Sequence, residues 1–201
     1  MKVPTLGPRT LEGKFVRLEP LRQSHSEKLW QVASKLDWSL LLFPLLSRED
    51  VDKKIATGIE KEKRDEEFAF AVILKADNHF VGSTSYLTIT PRHKRAEIGS
   101  TYYLPEFQGT FVNPECKFLL LRHAFEDWGA VRMQLGTDDN NIHSQRAIAK
   151  LGAKYEGLLR NYGVRPDGKP RNTVLYSITS YEWPEAKSRL ISRINAYPSK
   201  Q

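Results

Sequence analysis

The order of structural signals in this chain changes once, at Pro105, and that change limits what the chain can fold into. Before it, three stretches rich in β-branched and aromatic residues follow one another: Glu67 to Leu74, Phe80 to Ile89 and Ala96 to Leu104. Only turn residues such as Asp77-Asn78 and Pro91 separate them, and links that short join strands antiparallel. After Pro105, strand and helix signals alternate. A strand, helix, strand, helix succession from Ala96 onward requires parallel pairing somewhere, with a right-handed crossover. One sheet that must hold both kinds of pairing is mixed, with helices on its faces, and the fold class expected is α/β.

The flanking segments fill in that plan. GKFVRLEPL, Gly13 to Leu21, alternates apolar and polar side chains and reads as a strand. Ser24 to Leu36 sets Leu29, Val32, Ala33 and Leu36 on one helical face, and Ser47 with Asp50 three residues on predicts a capped helix through Lys63. Between them, Trp38-Ser-Leu-Leu-Leu-Phe-Pro-Leu-Leu is an apolar connector, read as core packing with a possible second use as a pocket wall. Asn113-Pro114-Glu115 predicts a helix start at Asn113: a capping side chain, proline in the first helical position and an acid in the first turn. Phe118, Leu121, Phe125 and Trp128 then recur at helical spacing as far as Gly129. Val131 to Thr137 reads as a strand and Asn141 to Leu151 as a helix. Tyr155 to Val164 and Thr173 to Tyr181 read as a hairpin around Pro166-Asp167-Gly168, and a helix follows at Trp183. With no repeat, linker or low-complexity tract, residues 1–201 are expected to form a single domain.

Composition excludes several functions. The only cysteine is Cys116, so no disulfide forms within the chain, and no Cys/His cluster has metal-ligand spacing, so no metal is expected. Met1 to Thr10 lacks the apolar core of a signal peptide and no run is long enough to span a membrane, which predicts a cytoplasmic protein without a membrane partner. A net charge of +7 favours an anionic partner, but the basic residues are scattered, which argues against nucleic acid.

A strand ending near Leu104, the connector Pro-Glu-Phe-Gln-Gly-Thr-Phe-Val and a helix start at Asn113 place free backbone N–H groups where an anion can sit, with Lys117 one turn inside. EIGSTYYLPEFQGTFVNPECKFLLLRHAFE resembles the strand-and-loop motif of GNAT acetyltransferases, in particular the Rim-type branch that includes acetyltransferases of protein N-termini. TDDNNIHSQRAIAKLGA, GLLRNYGVRPDGKPRNTVLYSITSYEWPE and LEGKFVRLEPL extend the resemblance over nearly the whole chain. It implies a mostly antiparallel sheet of about seven strands, splayed where acetyl-coenzyme A enters, and transfer of the acetyl group to a primary amine. The amine would belong to a protein or peptide N-terminus or to a small molecule.

The resemblance also implies roles. Gln108, Gly109, Thr110, Val112 and Asn113 would cradle the pyrophosphate with help from Lys117. Backbone groups of Tyr103 and Leu104 would pair with the pantetheine arm, an amide near Leu104 polarising the thioester carbonyl, and Asn141 would contact the same arm. Ser144, one turn beyond Asn141, would give a proton to the departing thiolate, and Glu97 would accept the proton of the amine. A peptide α-amine, with a reference pKa of about 7.7 to 8.0, needs less help from a base than lysine at about 10.4. Family analogy adds a homodimer through the C-terminal strands. Two departures stand out: Phe111 occupies the place of the branch's second loop glycine, and Ile148 that of a tyrosine which in many members protonates the thiolate. They motivate the alternative of a catalytically inactive coenzyme A-binding regulatory or scaffold protein.

Overall fold

The computed structural model describes residues 5–197, so Met1–Pro4, part of the segment Met1 to Thr10 read above, lie outside the described residues. Eight strands form one sheet: β1 (Leu11–Glu12), β2 (Val16–Pro20), β3 (Phe68–Leu74), β4 (Phe80–Thr90), β5 (Arg95–Tyr103), β6 (Arg132–Asp138), β7 (Lys154–Val164) and β8 (Pro170–Thr179). Their spatial order is β1-β2-β3-β4-β5-β6-β8-β7. Every neighbouring pair is antiparallel except β5 and β6, which run parallel. The strand beyond the seven expected is β1, two residues long and too short to leave a periodic signal.

Five helices flank the sheet: α1 (Ser26–Ala33), α2 (Arg48–Lys63), α3 (Val112–Arg122), α4 (Ile142–Ala149) and α5 (Trp183–Asn195). One core joins α3 and α5 to the sheet through Leu119, Leu120, Leu121, Leu190, Phe70, Ile98 and Met133; the other joins α1 and α2 through Leu29, Val51, Ile55, Ile73 and Tyr102. Each fully buried leucine is worth roughly 1.5–3 kcal/mol of hydrophobic stabilisation. The helix containing Phe118 continues through a π-helical turn at His123–Asp127 and stops at Gly129, whose φ is +74°. The apolar connector is divided. Trp38 and Leu45 are buried, with Trp38 edge-on to Tyr102 at 5.2 Å, whereas Phe43 is 79% exposed and Leu46 67%.

One irregularity in β5 governs which side chains meet. Between the pairs Ser83↔Tyr102 and Ser85↔Gly99, β5 carries one residue more than β4, and Ser100 there has a φ of +47°. Ala96 and Ile98 belong to the α3 core, and so does Tyr103, while Tyr102 belongs to the α2 core. The bulge therefore inverts the strand's alternation. Glu97 and Gly99 do not share a face with Thr101 and Tyr103, as simple alternation predicts; they lie on the opposite one.

Candidate functional site

β5 and β6 pair through only three residue pairs, Arg95↔Arg132, Ala96↔Met133 and Glu97↔Gln134. Beyond them β6 stays paired to β8 as far as Asp138, and β5 to β4 as far as Tyr103, so the two strands leave each other and the sheet forks. The α3 N-terminus stands where β5 ends.

That helix begins at Val112, one residue before the capping asparagine that the sequence predicts, with Phe111 as its flanking residue. Pro114 becomes the third helical residue, still inside the turn whose amides have no helical partner. No side chain caps this end. Among the described residues the amides of Gly109, Thr110, Phe111 and Asn113 donate to no carbonyl or side chain, and that of Val112 reaches only Thr110 Oγ1 at 3.3 Å. Gly109 has a φ of +74°, with nothing within 4 Å of where a β-carbon would stand. Phe111 sits in ordinary helical conformation (φ −66°, ψ −19°), so the missing glycine costs nothing. Its ring packs against Phe15 at 4.8 Å and Tyr197 at 5.9 Å. The Phe15 turn is fixed in its turn by buried Glu115, whose carboxylate accepts the amides of Lys14, Phe15 and Val16.

Several groups expected at this loop are engaged elsewhere. The Gln108 amide donates to the Pro105 carbonyl, and its side chain donates to the Tyr103 carbonyl at 3.2 Å. The Leu104 amide, expected to polarise the thioester, donates to Val81 O at 2.9 Å. Thr110 Oγ1 donates to Phe107 O, and Tyr103 Oη to Asn113 Oδ1 at 3.2 Å. Lys117 turns away from the loop. It is 4% exposed and its Nζ donates to Thr84 Oγ1 at 3.1 Å and Thr101 Oγ1 at 2.5 Å against the sheet. Burial without a carboxylate partner pushes its ammonium down to about 8. Cys116 is wholly buried, and burial pushes its thiol up to about 12, so alkylation at the loop mouth is closed to it.

Across the fork, Asn141 caps α4, its Oδ1 accepting the Ser144 amide at 3.0 Å. The two residues are thus adjacent, though through a cap rather than a shared helical face. The Ser144 hydroxyl is half-buried and makes no hydrogen bond among the described residues; Ile148 is core. The turn before α4 is organised by Asp138, which has no exposed side-chain surface. Its carboxylate accepts Arg165 Nη2 at 2.7 Å, Arg165 Nε at 2.8 Å, Arg171 Nε at 3.2 Å and the Asn140 amide at 2.8 Å. Burial pushes this carboxyl up, but the Arg165 and Asn140 hydrogen bonds outweigh it and hold it at about 2. Asp138 thereby ties the α4 approach to the β7–β8 hairpin.

Glu97 accepts from Gln134 Nε2 at 2.9 Å and makes no pair with Arg95. Burial raises its carboxyl, opposed by Gln134 and by the Arg171 charge. In the hairpin, Arg160, Asn161 and Tyr162 oppose the single residue Asn172 and line an open groove of about 720 Å³ with Leu158 and Leu159. Gly163 beside them is packed so closely on Leu42 that a β-carbon would come within 2.8 Å of Leu42 Cδ2, which joins hairpin to connector. Asp138, Arg165 and Arg171 escape sequence reading because their partners lie 27 to 33 residues away. Gly136 in mid-strand was the one available hint of a close approach. No group of three His, Cys, Asp or Glu converges among the described residues, and no helix there is long and apolar enough to cross a membrane.

The family model described as the acetyltransferase (GNAT) domain matches residues 16–154. A curated Bacillus subtilis protein named "Probable N-acetyltransferase YjcK" is 25% identical over 158 residues, 75% of this chain and 86% of its own length. A GCN5-related N-acetyltransferase from Brucella melitensis superposes with a TM-score of 0.84 at 29% identity, covering 93% of this chain and 86% of that one. The fold of Mycobacterium smegmatis RimJ, solved in complex with CoA-disulfide, matches with a TM-score of 0.80 at 21% identity, over 92% of this chain and 94% of that one.

Proposed function

This chain belongs to the GNAT acetyltransferase family, and from that premise we propose that it moves an acetyl group from acetyl-coenzyme A to a primary amine by direct attack in a ternary complex. The observation that carries the reading is the set of unpaired amides of Gly109, Thr110, Phe111 and Asn113 at an uncapped helix start beside a forked sheet. Such amides, with the positive end of the α3 dipole behind them, suit a pyrophosphate. Open space over Gly109 lets an anion approach the backbone, and the parted edges of β5 and β6 suit the pantetheine arm. Relatives in complex with coenzyme A support the same assignment.

Acetyl-coenzyme A supplies an activated thioester when bound. The chain's own groups supply the rest. Glu97, at the root of the fork with its carboxyl raised by burial, accepts the proton that the amine must lose. Ser144, with an uncommitted hydroxyl at the start of α4, returns a proton to the departing sulfur. Asn141 holds that helix start in place and keeps its side-chain NH₂ for the pantetheine arm. The acceptor approaches from the face opposite α3, between the connector and the hairpin, where Phe43, Leu46, Tyr162 and Val164 are exposed.

Release of free thiol from acetyl-coenzyme A, followed against a panel of peptide and small-molecule amines, tests this function. Turnover with at least one primary amine and loss of most of it in Glu97→Gln are expected. Tight coenzyme A binding with no turnover on any acceptor would favour a regulatory coenzyme A-binding protein instead.

A further inference from the structure

Past the pair Glu97↔Gln134, β5 has no β6 neighbour, and between Gly99 and Tyr102 its regular pairing with β4 breaks as well. The extra residue there, Ser100, sits at a φ of +47°, a conformation that costs steric energy for any residue with a β-carbon and persists only where its surroundings hold it. Two lysines reach this place from opposite sides of the sheet. On the α3 face Lys117 Nζ donates to Thr101 Oγ1, as described above. On the other face Lys54, from the second turn of α2, donates its Nζ to Ser100 Oγ at 3.0 Å.

The partner that Lys54 takes is a weak one for its setting. The side chain is half-buried and burial lowers the pKa of its ammonium, yet Nζ forms no ion pair among the described residues. The nearby carboxylate of Glu67 is taken by Lys61 at 3.0 Å. A desolvated cation bonded to a serine hydroxyl adds little stability, and its effect falls on one spot of β5. α2 gives it a firm base, since that helix is capped at Ser47 and buries Val51 and Ile55 on either side of Lys54. The Glu97 carboxylate lies beside the same spot. A β-carbon on Gly99 would stand 3.3 Å from Glu97 Oε1 and 2.7 Å from Leu87 Cδ1, so the carboxylate lies back over Gly99, next to Ser100, and its direction depends on the course of the backbone there. Its other oxygen accepts Gln134 Nε2.

We propose that Lys54 is a positioning residue for the transfer: by holding the Ser100 hydroxyl from α2 it keeps the β5 bulge in place, and the bulge keeps the Glu97 carboxylate at the root of the fork. This rests on the acetyl-transfer reading above, with Glu97 as the group that takes up the amine proton. Lys54 acts only through Ser100. Without this strap Ser100 relaxes toward extended backbone, the stretch between Gly99 and Tyr102 changes its course, and Glu97 loses its setting. A misplacement of about 1 Å at a reacting group lowers the rate by up to about 100-fold. The free amides between Gly109 and Asn113 belong to a different segment and keep their geometry.

The test joins kinetics to a readout that needs no turnover. Lys54→Met keeps an apolar stem and removes the ammonium. It is expected to lower kcat for the best amine of the panel by roughly 10- to 100-fold, with KM for acetyl-coenzyme A and coenzyme A affinity unchanged. Ser100→Ala removes the acceptor, keeps the strain and should match that loss, and the double variant should be no slower than either single one. Ser100→Gly loses the hydroxyl but tolerates positive φ, so adding it to Lys54→Met should restore kcat by about tenfold. The second readout is the carbon-13 resonance of the Glu97 carboxyl, whose pKa burial raises in the wild-type protein and which should titrate nearer its ordinary value in Lys54→Met. An unmoved Glu97 titration in Lys54→Met overturns the strap whatever the rates do. So does an unmoved kcat where Glu97→Gln is inactive, a loss of kcat matched by an equal loss of coenzyme A affinity, or additive losses in the double variant. If Glu97→Gln turns over normally, or no amine is acetylated, the role given to Glu97 falls by itself and its titration alone decides: moved in Lys54→Met, the strap stands; unmoved, it falls too.

Discussion

The starts of α2 and α3 are opposite solutions to one problem. At α2, Ser47 Oγ accepts the Asp50 amide at 3.1 Å and the Asp50 carboxylate accepts the Ser47 and Leu46 amides at 2.9 Å, so three amides at that end are met within four residues of sequence. At α3 no side chain caps the end, and four amides between Gly109 and Asn113 stay unmet. Both ends begin with acceptable helix-start chemistry, and Asn113 could serve as a cap were the helix to begin two residues later. Instead its Oδ1 accepts the Tyr103 hydroxyl. The difference teaches that a helix start completed by its own sequence spends its donors on stability, whereas one left open beside a forked sheet keeps its donors free.

The strongest way to break this contrast is to close the open end. Gly109→Val forces a β-branched residue to a φ of +74° at a place where the folded chain has space to spare. Coenzyme A affinity by calorimetry should fall about 100-fold, while Tm falls by only a few degrees because the residue buries nothing. Next in size is Lys117→Met, which asks whether the amides act without the nearby cation. Coenzyme A affinity should be unchanged, since Nζ lies against Thr84 and Thr101. Stability near pH 7 should rise by roughly 2–3 kcal/mol from removing a desolvated charge.

The pH dependence of that gain follows from the protons bound. The unfolded chain keeps the Lys117 proton up to its ordinary value near 10.5, the folded chain only to about 8. Between those values the unfolded state binds more protons, so the wild-type contribution to stability increases with pH across that window. In Lys117→Met that increase should vanish from chemical-denaturation midpoints taken at pH 7.5 to 10.5. The smallest effect sharpens the contrast from the other side. Ser47→Ala should cost about 1 kcal/mol in urea denaturation and leave coenzyme A affinity unaltered.

What the sequence disclosed divides along the same line between local and distant partners. The α2 helix runs from its predicted cap at Ser47 to Lys63 as read, because the capping pair lies three residues apart. The strands fall within a few residues of their expected limits, and the order of elements alone required a parallel pair somewhere, which the structure places between β5 and β6. The α3 start lies two residues earlier than expected, and Asn113 accepts instead from Tyr103, ten residues away. Lys117 was misplaced for a similar reason: its position one turn past the loop says nothing of whether the side chain turns to solvent or to the sheet, and two threonines of β4 and β5 decided it. Arg171 carries no local pattern at all, because the β6–β8 register brings it to Asp138, 33 residues away.

The extra residue at Ser100 has a bearing on anyone who alters β5. Along an unbroken strand, odd and even positions answer to different surroundings, and substitutions sort cleanly into two classes. Here the sorting rule reverses in mid-strand: positions 96 and 98 share their surroundings with 101 and 103. Removing Ser100 would restore a regular count and, in the same stroke, rotate one half of β5 against the other. Either Tyr103 would leave the α3 side or Glu97 would leave the fork, so one strand could no longer serve both places.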